Sequence, residues 1–228
     1  DEYRQLSLVR LIGEIAGNVA VLYAAELLAL SNGLMLGGIT GVRPTEVVIL
    51  GAGIVGEFAT KAALGLGASV KVFDNSLSKL RRLHMMVDGR VPTSIIDPKE
   101  LNKSLKRADV VIGAFSKYSA FPVITKEMVM GMKKGSVIID VTIDNSNVIE
   151  TSELTDMENP FVVKYGVIHS GLPNLTSKMP RTTTKAISNF FLSYLLNYDE
   201  EGGFENMLVR KNEMKQSLYM YKGRHTNK

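Results

Sequence analysis

The sequence contains no cysteine and no tryptophan, and only three of its 228 residues are histidine. Without cysteine the chain cannot form a disulfide, a thiolate metal site or a cysteine nucleophile, which fits a reducing compartment such as the cytoplasm. The histidines are His84, His169 and His225, and none lies in a His/Asp/Glu cluster at metal-ligand spacing. We therefore expect structural histidines and no metal site.

A strong charge of either sign and long apolar runs are also missing. The chain is 45% hydrophobic and 22% charged with a net charge of +4, and a solvated helix face explains its basic tail better than a nucleic-acid patch. The most apolar stretch, residues 15–30, is interrupted by Asn18 and Glu26 and is shorter than the ~20 residues of a membrane span. We expect no nucleic-acid partner and no membrane-spanning segment or membrane partner. The chain opens on Asp1 without a signal peptide, which is compatible with a fragment.

A long helix is predicted over residues 6–30, at the start of the chain. Its polar side chains recur at three- and four-residue spacing and form one narrow stripe. The remaining faces must then be buried against a neighbouring domain or another subunit, so we expect interdomain or oligomer contacts.

From residue 46 onward, short apolar runs alternate with helical patterns. We predict strands over residues 46–50, 69–73, 109–113 and 135–141, with two edge strands at 162–164 and 166–169. Helices are predicted over residues 54–66, 76–87, 101–106, 125–132, 182–196 and 204–221. Because the strands are nearly continuously apolar and do not strictly alternate, the sheet should be parallel and covered on both faces. The pattern predicts an α/β fold, a Rossmann-type doubly wound sheet in residues 33–180, flanked by a linker helix in 1–32 and C-terminal helices in 181–228.

The sharpest motif is the loop Gly51-Ala52-Gly53-Ile54-Val55-Gly56, since it follows a predicted strand and opens a predicted helix. Gly51 permits a tight turn, Gly53 lets backbone N–H groups approach a pyrophosphate, and Gly56 allows the helix to pack closely on the sheet. A side chain at any of the three would intrude. The loop predicts a dinucleotide site, and S-adenosylmethionine enzymes, which use a similar loop, are the closest alternative.

The choice of dinucleotide depends on Asp74, which ends the second strand 18 residues beyond Gly56, near the ~20 expected for a carboxylate on the adenosine ribose. Its charge would repel a 2′-phosphate and so favours NAD over NADP. Arg81 and Arg82 lie just beyond it and weaken that preference.

Two polar residues after later strands each have two interpretations. Asp144 could face the nicotinamide, since open α/β sheets bind ligands at the carboxyl ends of their strands, or it could cap the turn at residues 145–147. Asn174 is either a turn residue or an amide beside the cofactor.

Several linked motifs give the chain a family resemblance. They are Gly37-Gly38-Ile39-Thr40-Gly41-Val42, the strand and loop at residues 47–56, residues 63–68, 108–114 and 134–140, Ile143-Asp144, Glu150-Thr151-Ser152 and Pro180-Arg181-Thr182. In this order they resemble the alanine dehydrogenase family, which is related to the first domain of proton-translocating transhydrogenase. The similarity extends to about Gly203 and is more specific than the glycine loop alone.

The resemblance implies an activity and a set of site residues. Members of the family reductively aminate a 2-oxo acid such as pyruvate with ammonia and NADH, and oxidise L-alanine in reverse, usually as hexamers. The resemblance makes Asp144 and Asn174 the catalytic candidates, both also beside the NAD cofactor. The other cofactor-binding candidates are Gly51, Gly53, Ile54, Val55, Gly56, Asp74, Lys79, Gly113, Ala114, Leu172 and Leu175.

The family also has an N-terminal half-domain that supplies a lysine, an arginine and a proton-transferring histidine, and we expect none of that segment in this chain. Residues 6–30 would correspond to the helix that links the two domains, and residues 181–228 to a remnant of the catalytic domain. The chain alone should bind cofactor without turnover.

Three departures from the family bear on activity and substrate. The chain has Asn145-Ser146-Asn147 where the family has Gln-Gly-Gly, and His169-Ser170-Gly171 where it has His-Tyr-Cys, and the loop at 115–121 lacks an expected Pro-Gly. We predict an NAD-dependent, alanine-dehydrogenase-like oxidoreductase, a cytoplasmic dimer or hexamer whose small-molecule substrate is a 2-oxo acid or amino acid. The alternatives are a noncatalytic NAD(H)-binding protein and a transhydrogenase-like cofactor module.

Overall fold

The computed structural model of the chain describes residues 7–115, 122–144, 147–196, 202–203, 205–206 and 218–226. The chain divides into two compact units. The larger is Ile12–Met179, and the smaller combines the described parts of Asp1–Leu11 and Pro180–Lys228.

A seven-stranded sheet organises the larger unit. Its strands are β1 Glu46–Leu50, β2 Ser69–Phe73, β3 Thr93–Ser94, β4 Val110–Gly113, β5 Val137–Asp140, β6 Val162–Lys164 and β7 Val167–Ser170. Their order across the sheet is β3-β2-β1-β4-β5-β7-β6, and all neighbours are parallel except β6 and β7. The predicted doubly wound, mostly parallel α/β sheet is confirmed.

Three of the helices begin directly after a capping side chain. The helices are α1 Ser7–Asn32, α2 Ile54–Gly65, α3 Leu77–Met86, α4 Pro98–Leu105, α5 Lys126–Met130 and α6 Pro180–Leu196, with a 3-10 turn at Leu175–Lys178. The side-chain oxygens of Ser76, Asp97 and Thr125 accept hydrogen bonds from backbone N–H groups three residues later, at the starts of α3, α4 and α5. Each cap satisfies a donor that the helix itself leaves open, a contribution of ~1 kcal/mol.

Both faces of the sheet are covered, which explains why the central strands β1, β4 and β5 are nearly continuously apolar. Val47 and Ile49 of β1 belong to one buried cluster, with residues of α1, α2 and α3. Val48 and Leu50 belong to a second cluster, with residues of α4 and α5. Each such side chain contributes about 1.5–3 kcal/mol when it is removed from water. Because successive residues of β1 are buried on opposite faces, this burial fixes the face of the sheet on which each side chain lies.

Some predicted elements are wrong in position. β7 was predicted at an edge but lies between β5 and β6, and the opposite edge is β3, whose two residues are too few to show a pattern. The helix predicted from residue 101 begins at Pro98, because Asp97 caps it and proline is favoured in the first turn.

The last predicted helix, residues 204–221, is wrong at its end. Glu205 and Asn206 are helical and residues 207–217 lie outside the described part, but Met220–Tyr221 forms β8, paired antiparallel with β9, Arg224–His225. Both connecting residues, Lys222 and Gly223, have positive φ, as a tight two-residue hairpin turn requires.

Helix α1 is longer than the apolar run that the sequence suggested. Over Leu8–Asn32 it is long and apolar enough, by length and composition, to cross a membrane, but half of its most apolar part is buried within the protein. Ala20, Ala24 and Leu28 are fully buried in the core of the larger unit. This burial favours a core helix.

Candidate functional site

The carboxyl ends of the parallel strands meet at one edge of the sheet. Leu50, at the end of β1, is in register with Phe73 of β2 and with Gly113 of β4, which in turn is in register with Asp140 of β5. After β3 the chain crosses to the other side of β1, so the winding reverses between β1 and β4. Doubly wound sheets bind ligands in the crevice at such a reversal.

The sequence candidates follow these strand ends, in the chain order that parallel strands require. The glycine loop follows β1, Asp74 follows β2, Ala114 follows β4, Asp144 follows β5, and the segment with Leu172, Asn174 and Leu175 follows β7. Lys79 lies further on, exposed in the first turn of α3. The fold thus brings the loops that carry these candidates to one edge.

The three glycines of the loop differ in what surrounds them. Gly51 has a φ of +105°, and a Cβ there would lie 2.6 Å from the carbonyl oxygen of Ala114. A Cβ on Gly56 would lie 1.8 Å from the carbonyl oxygen of Gly51, so the loop's own backbone, more than the sheet, requires this glycine. Nothing lies within 4 Å of a Cβ built on Gly53. A side chain at Gly51 or Gly56 would thus clash with the backbone of the protein itself, whereas Gly53 faces open space where the helix begins, at the place where we expect a pyrophosphate.

Asp74 has a structural task besides the one the sequence suggested. It is buried, its Oδ2 accepts a hydrogen bond from the Ala52 N–H at 2.7 Å, and its Oδ1 accepts one from the Ser76 N–H at 2.7 Å. Since each carboxylate oxygen can accept two hydrogen bonds, capacity remains for a ligand hydroxyl.

A cluster of three charged residues behind the loop, Glu57, Lys61 and Arg82, was not predicted from the sequence. Glu57, in the first turn of α2, is 1% exposed and lies 2.9 Å from Lys61 Nζ and 3.9 Å from Arg82 Nη2. Arg82 also donates a hydrogen bond to the Ala52 carbonyl oxygen at 3.3 Å. Arg81 is exposed. The position of Glu57, one residue after the glycine loop, was the available signal in the sequence. Its burial could not be predicted, because it depends on the packing of α3.

Asp140, the last residue of β5, is another buried acid that was not singled out. It is 2% exposed, and its Oδ1 accepts a hydrogen bond from the Thr142 N–H at 3.1 Å. Burial raises the pKa of Asp140 to about 6, against the lowering effect of the Thr142 and Ser152 groups. Its Oδ2 makes no hydrogen bond to the described residues. Asp140 is thus a buried acid at the end of β5, shortly before Asp144 in the chain.

The two catalytic candidates are both exposed. Asp144 ends the turn after β5, and the Asn145-Ser146 positions on which its turn-capping interpretation depends lie outside the described residues. Asn174 has a left-handed backbone with a φ of +53°, and its side-chain oxygen accepts a hydrogen bond from the Thr176 hydroxyl at 2.8 Å. It is thus a turn residue by geometry, with an exposed amide.

The neighbouring cofactor candidates are buried. The side chains of Leu172 and Leu175 belong to the core, which leaves their backbone groups for a ligand. Gly113 packs beside Asp140, since a Cβ there would lie 3.3 Å from Asp140 Oδ1, and Ala114 contacts the glycine loop.

The histidines of the described chain have structural surroundings. His169 is buried in β7, where its Nε2 lies 2.8 Å from the Thr151 hydroxyl and its Nδ1 lies 3.0 Å from the Val167 carbonyl oxygen. Burial lowers the pKa of His169. His84 is exposed on α3. Among the residues that the structure describes, no group of three or more His, Cys, Asp or Glu could hold a metal ion.

A cavity of about 250 Å³ lies at the opposite edge of the sheet, where β1 and β2 begin. Four of its charged side chains form pairs, Lys71 with Glu100 at 2.5 Å and Arg107 with Glu46 at 2.9 Å. It carries none of the sequence candidates, and strand amino ends are not where such sheets bind ligands.

Strand order, winding reversal and a glycine loop at the reversal define the class: a Rossmann-type α/β protein with a candidate site at the carboxyl edge of the sheet. The family model described as "Alanine dehydrogenase/PNT, C-terminal domain" matches residues 20–228. The chain therefore belongs to the alanine dehydrogenase/PNT family.

Known relatives agree with this assignment. The chain is 36% identical, over 231 aligned residues, to "Alanine dehydrogenase 2" from Staphylococcus aureus strains USA300 and N315. The alignment covers 99% of this chain and 62% of each relative. A solved structure of L-alanine dehydrogenase superposes with a TM-score of 0.87 at 33% identity, covering 96% of this chain and 61% of that one. The chain thus spans less than two thirds of the relatives it matches.

A more distant solved structure shares the fold alone. A transhydrogenase from Sinorhizobium meliloti superposes with a TM-score of 0.69 at 20% identity, covering 86% of this chain and 57% of that one.

Proposed function

We propose that this chain is the NAD(H)-binding part of an alanine-dehydrogenase-like oxidoreductase, which interconverts an amino acid such as L-alanine with its 2-oxo acid and ammonia. The observation that carries the proposal is the open space at Gly53, flanked by a backbone that Gly51, Gly56 and Asp74 fix in place. The names of the relatives point the same way.

The residues at this edge fit an NAD cofactor. The backbone N–H groups at the start of α2 would hold the pyrophosphate, since a helix N-terminus has unpaired donors and a positive partial charge. Asp74 and Lys79 would hold the adenosine ribose, and the backbone of Gly113, Ala114, Leu172 and Leu175 would border the rest. When bound, NAD supplies the acceptor and donor of hydride.

Asp144 and Asn174 would act on the reacting end of the substrate. The exposed carboxylate of Asp144 can stabilise the positive charge of an amino group or accept a proton at either Oδ atom, and the Asn174 amide can orient the nicotinamide. The residues that bind the substrate carboxylate would come from the N-terminal domain of the intact enzyme. This agrees with the alignment, which covers 62% of the length of the relatives.

We also propose a homo-oligomer, either a dimer or a hexamer, located in the cytoplasm. Exposed apolar side chains on α1 and α6 support the assembly, among them Leu22 and Leu30 on α1 and Leu195 and Leu196 on α6. Sedimentation of the intact gene product tests this; a monomer at micromolar concentration would contradict it.

The activity is tested by supplying the intact gene product with NADH, ammonia and pyruvate, then with other 2-oxo acids. Turnover that is lost in Asp144→Asn while NADH binding persists would support the proposal.

The role of Asp74 is tested by cofactor binding. NADH should bind more tightly than NADPH, and Asp74→Asn should reduce that preference. Asp97→Asn, which removes a hydrogen-bonded aspartate carboxylate at the start of α4, is the matched control. Equal affinity for the two cofactors in the unaltered protein would refute the role given to Asp74.

A noncatalytic NAD(H)-binding protein is the second candidate, favoured by Asn145-Ser146-Asn147 in place of the expected Gln-Gly-Gly. NADH binding with no turnover on any 2-oxo acid or amino acid would select it. A transhydrogenase-like module should be accompanied by membrane segments elsewhere in the gene, and a gene without them would exclude that alternative.

A further inference from the structure

The peptide groups on either side of Ala52 are held by charged side chains that lie far away in sequence. The Ala52 N–H donates to Asp74 Oδ2 at 2.7 Å, and the Ala52 carbonyl oxygen accepts from Arg82 Nη2 at 3.3 Å. Ala52 lies between the glycine required at the turn, Gly51, and the glycine that faces open space, Gly53. Its orientation therefore sets the direction of the N–H groups that follow at the start of α2.

Arg82 also lies within ion-pair distance of a carboxylate behind the loop. Glu57 is 1% exposed, and its Oε2 lies 3.9 Å from Arg82 Nη2 while its Oε1 accepts from Lys61 Nζ at 2.9 Å. A buried carboxylate is costly unless cations and donors compensate it. Glu57 thus attracts the Arg82 guanidinium toward the loop and away from solvent.

The position of Arg82 also bears on the choice of cofactor. A 2′-phosphate on the adenosine ribose would need a cation near the end of β2, and NADP-binding folds commonly use an arginine there. Of the two candidate arginines, Arg82 already donates a hydrogen bond to the Ala52 carbonyl oxygen and lies within ion-pair distance of Glu57. The other, Arg81, is exposed. The carboxylates of Asp74 and Glu57 both add negative charge to this corner.

We infer that Arg82 is a positioning residue that orients the glycine loop through the Ala52 carbonyl group. Buried Glu57 holds Arg82 beside Ala52, so Arg82 does not bind a 2′-phosphate and the site is selective for NAD(H). The inference rests on the proposed function, in that it requires a dinucleotide on the glycine loop. It assigns to Glu57 and Arg82 a role in cofactor specificity without contact to the reacting atoms.

The test measures the dissociation constants of NADH and NADPH for the intact gene product, with the melting temperature of each variant. Arg82→Met should weaken NADH binding ~tenfold or more, the range expected when a charged hydrogen bond is lost. Arg81→Met, on the same helix, should change it by less than about twofold, as for a surface substitution.

Two further variants separate positioning and specificity from folding. Arg82→Lys keeps a cation for Glu57 and so should keep the melting temperature, but a single ammonium lacks the planar fork of donors, and NADH binding should still weaken. Glu57→Gln should lower the preference for NADH over NADPH by ~threefold or more, because it removes a charge and releases Arg82.

The outcomes are distinguishable. NADH affinity unchanged in folded Arg82→Met and Arg82→Lys would overturn the positioning role, and an unchanged NADH/NADPH preference in Glu57→Gln would overturn the specificity role. Both results leave the proposed function intact. Failure of the unaltered protein to bind NADH at all would overturn the proposed function, and this inference with it.

Discussion

Replacing Asp140 with asparagine should stabilise the protein above pH 6 and flatten the pH dependence of its stability. The Asp140 carboxyl is 2% exposed, and its Oδ2 has no hydrogen-bond partner among the described residues. Ionisation therefore places a charge in a poorly compensated, buried position. Asparagine has nearly the same shape and stays neutral at every pH.

The size of the effect follows from the pKa of Asp140, which burial raises from 3.8 to about 6. The native state then binds a proton more tightly than the unfolded chain does. The resulting stabilisation is fully present below the unfolded pKa near 3.8 and is lost as the pH rises through about 6. At about 1.36 kcal/mol per pKa unit, the loss is about 3 kcal/mol. For a chain of this size it corresponds to ~6–12 °C in melting temperature.

Urea unfolding of the unaltered protein and of Asp140→Asn at several pH values between 4 and 8 measures this difference. The two proteins should have similar free energies of unfolding at pH 4, and the variant should be more stable by about 3 kcal/mol at pH 8. Subtracting one curve from the other removes the contributions of the carboxylates that both proteins share.

Asp109→Asn is the matched control, because Asp109 is also a buried aspartate but is paired. It accepts from Lys133 Nζ at 2.6 Å and from the Glu46 N–H at 2.8 Å. Its replacement should destabilise the protein at neutral pH. A constant free-energy difference between the unaltered protein and Asp140→Asn from pH 4 to pH 8 would refute the reasoning about Asp140.

The remaining predictions separate packing from binding at the same edge. Gly56→Ala should lower the free energy of unfolding by more than ~2 kcal/mol, because its Cβ would lie 1.8 Å from a backbone oxygen; a melting temperature equal to that of the unaltered protein would contradict this. Gly53→Ala should leave the melting temperature nearly unchanged, since nothing lies within 4 Å of its Cβ, yet weaken NADH binding ~tenfold or more. Undiminished NADH affinity in this variant would argue against a cofactor at Gly53. Phe73→Ala, at a fully buried position, should cost about 3–5 kcal/mol in urea unfolding, and a loss below 1 kcal/mol would contradict its place in the core.

The fold was largely predictable because its signals are local. β1, β4 and β5 are nearly continuous apolar runs and β2 alternates apolar with polar residues, and such patterns bounded by turns specify strands whatever their neighbours are. The two-residue strand β3 and the inner position of β7 were not predictable, since strand order depends on contacts between distant segments. The first strand of the hairpin, Met220–Tyr221, was mistaken for the end of a helix, because two residues are too few to show a strand pattern.

The candidate site was predictable in outline but not in its electrostatics. The glycine loop at residues 51–56 and Asp74 could be identified from their spacing alone. The burial of Glu57, the choice of Arg82 over Arg81 and the unpartnered Asp140 oxygen could not, because each depends on what another element places beside it.

The sequence by itself determined the α/β class, the place of the glycine loop and the resemblance to alanine dehydrogenases, since each resides in short contiguous motifs. Only the tertiary structure decided which glycine faces open space, what holds Ala52, and which acids are buried. The physical reason is that pKa, burial and hydrogen bonding are set by the partners that folding brings together from β1, β2, α2 and α3.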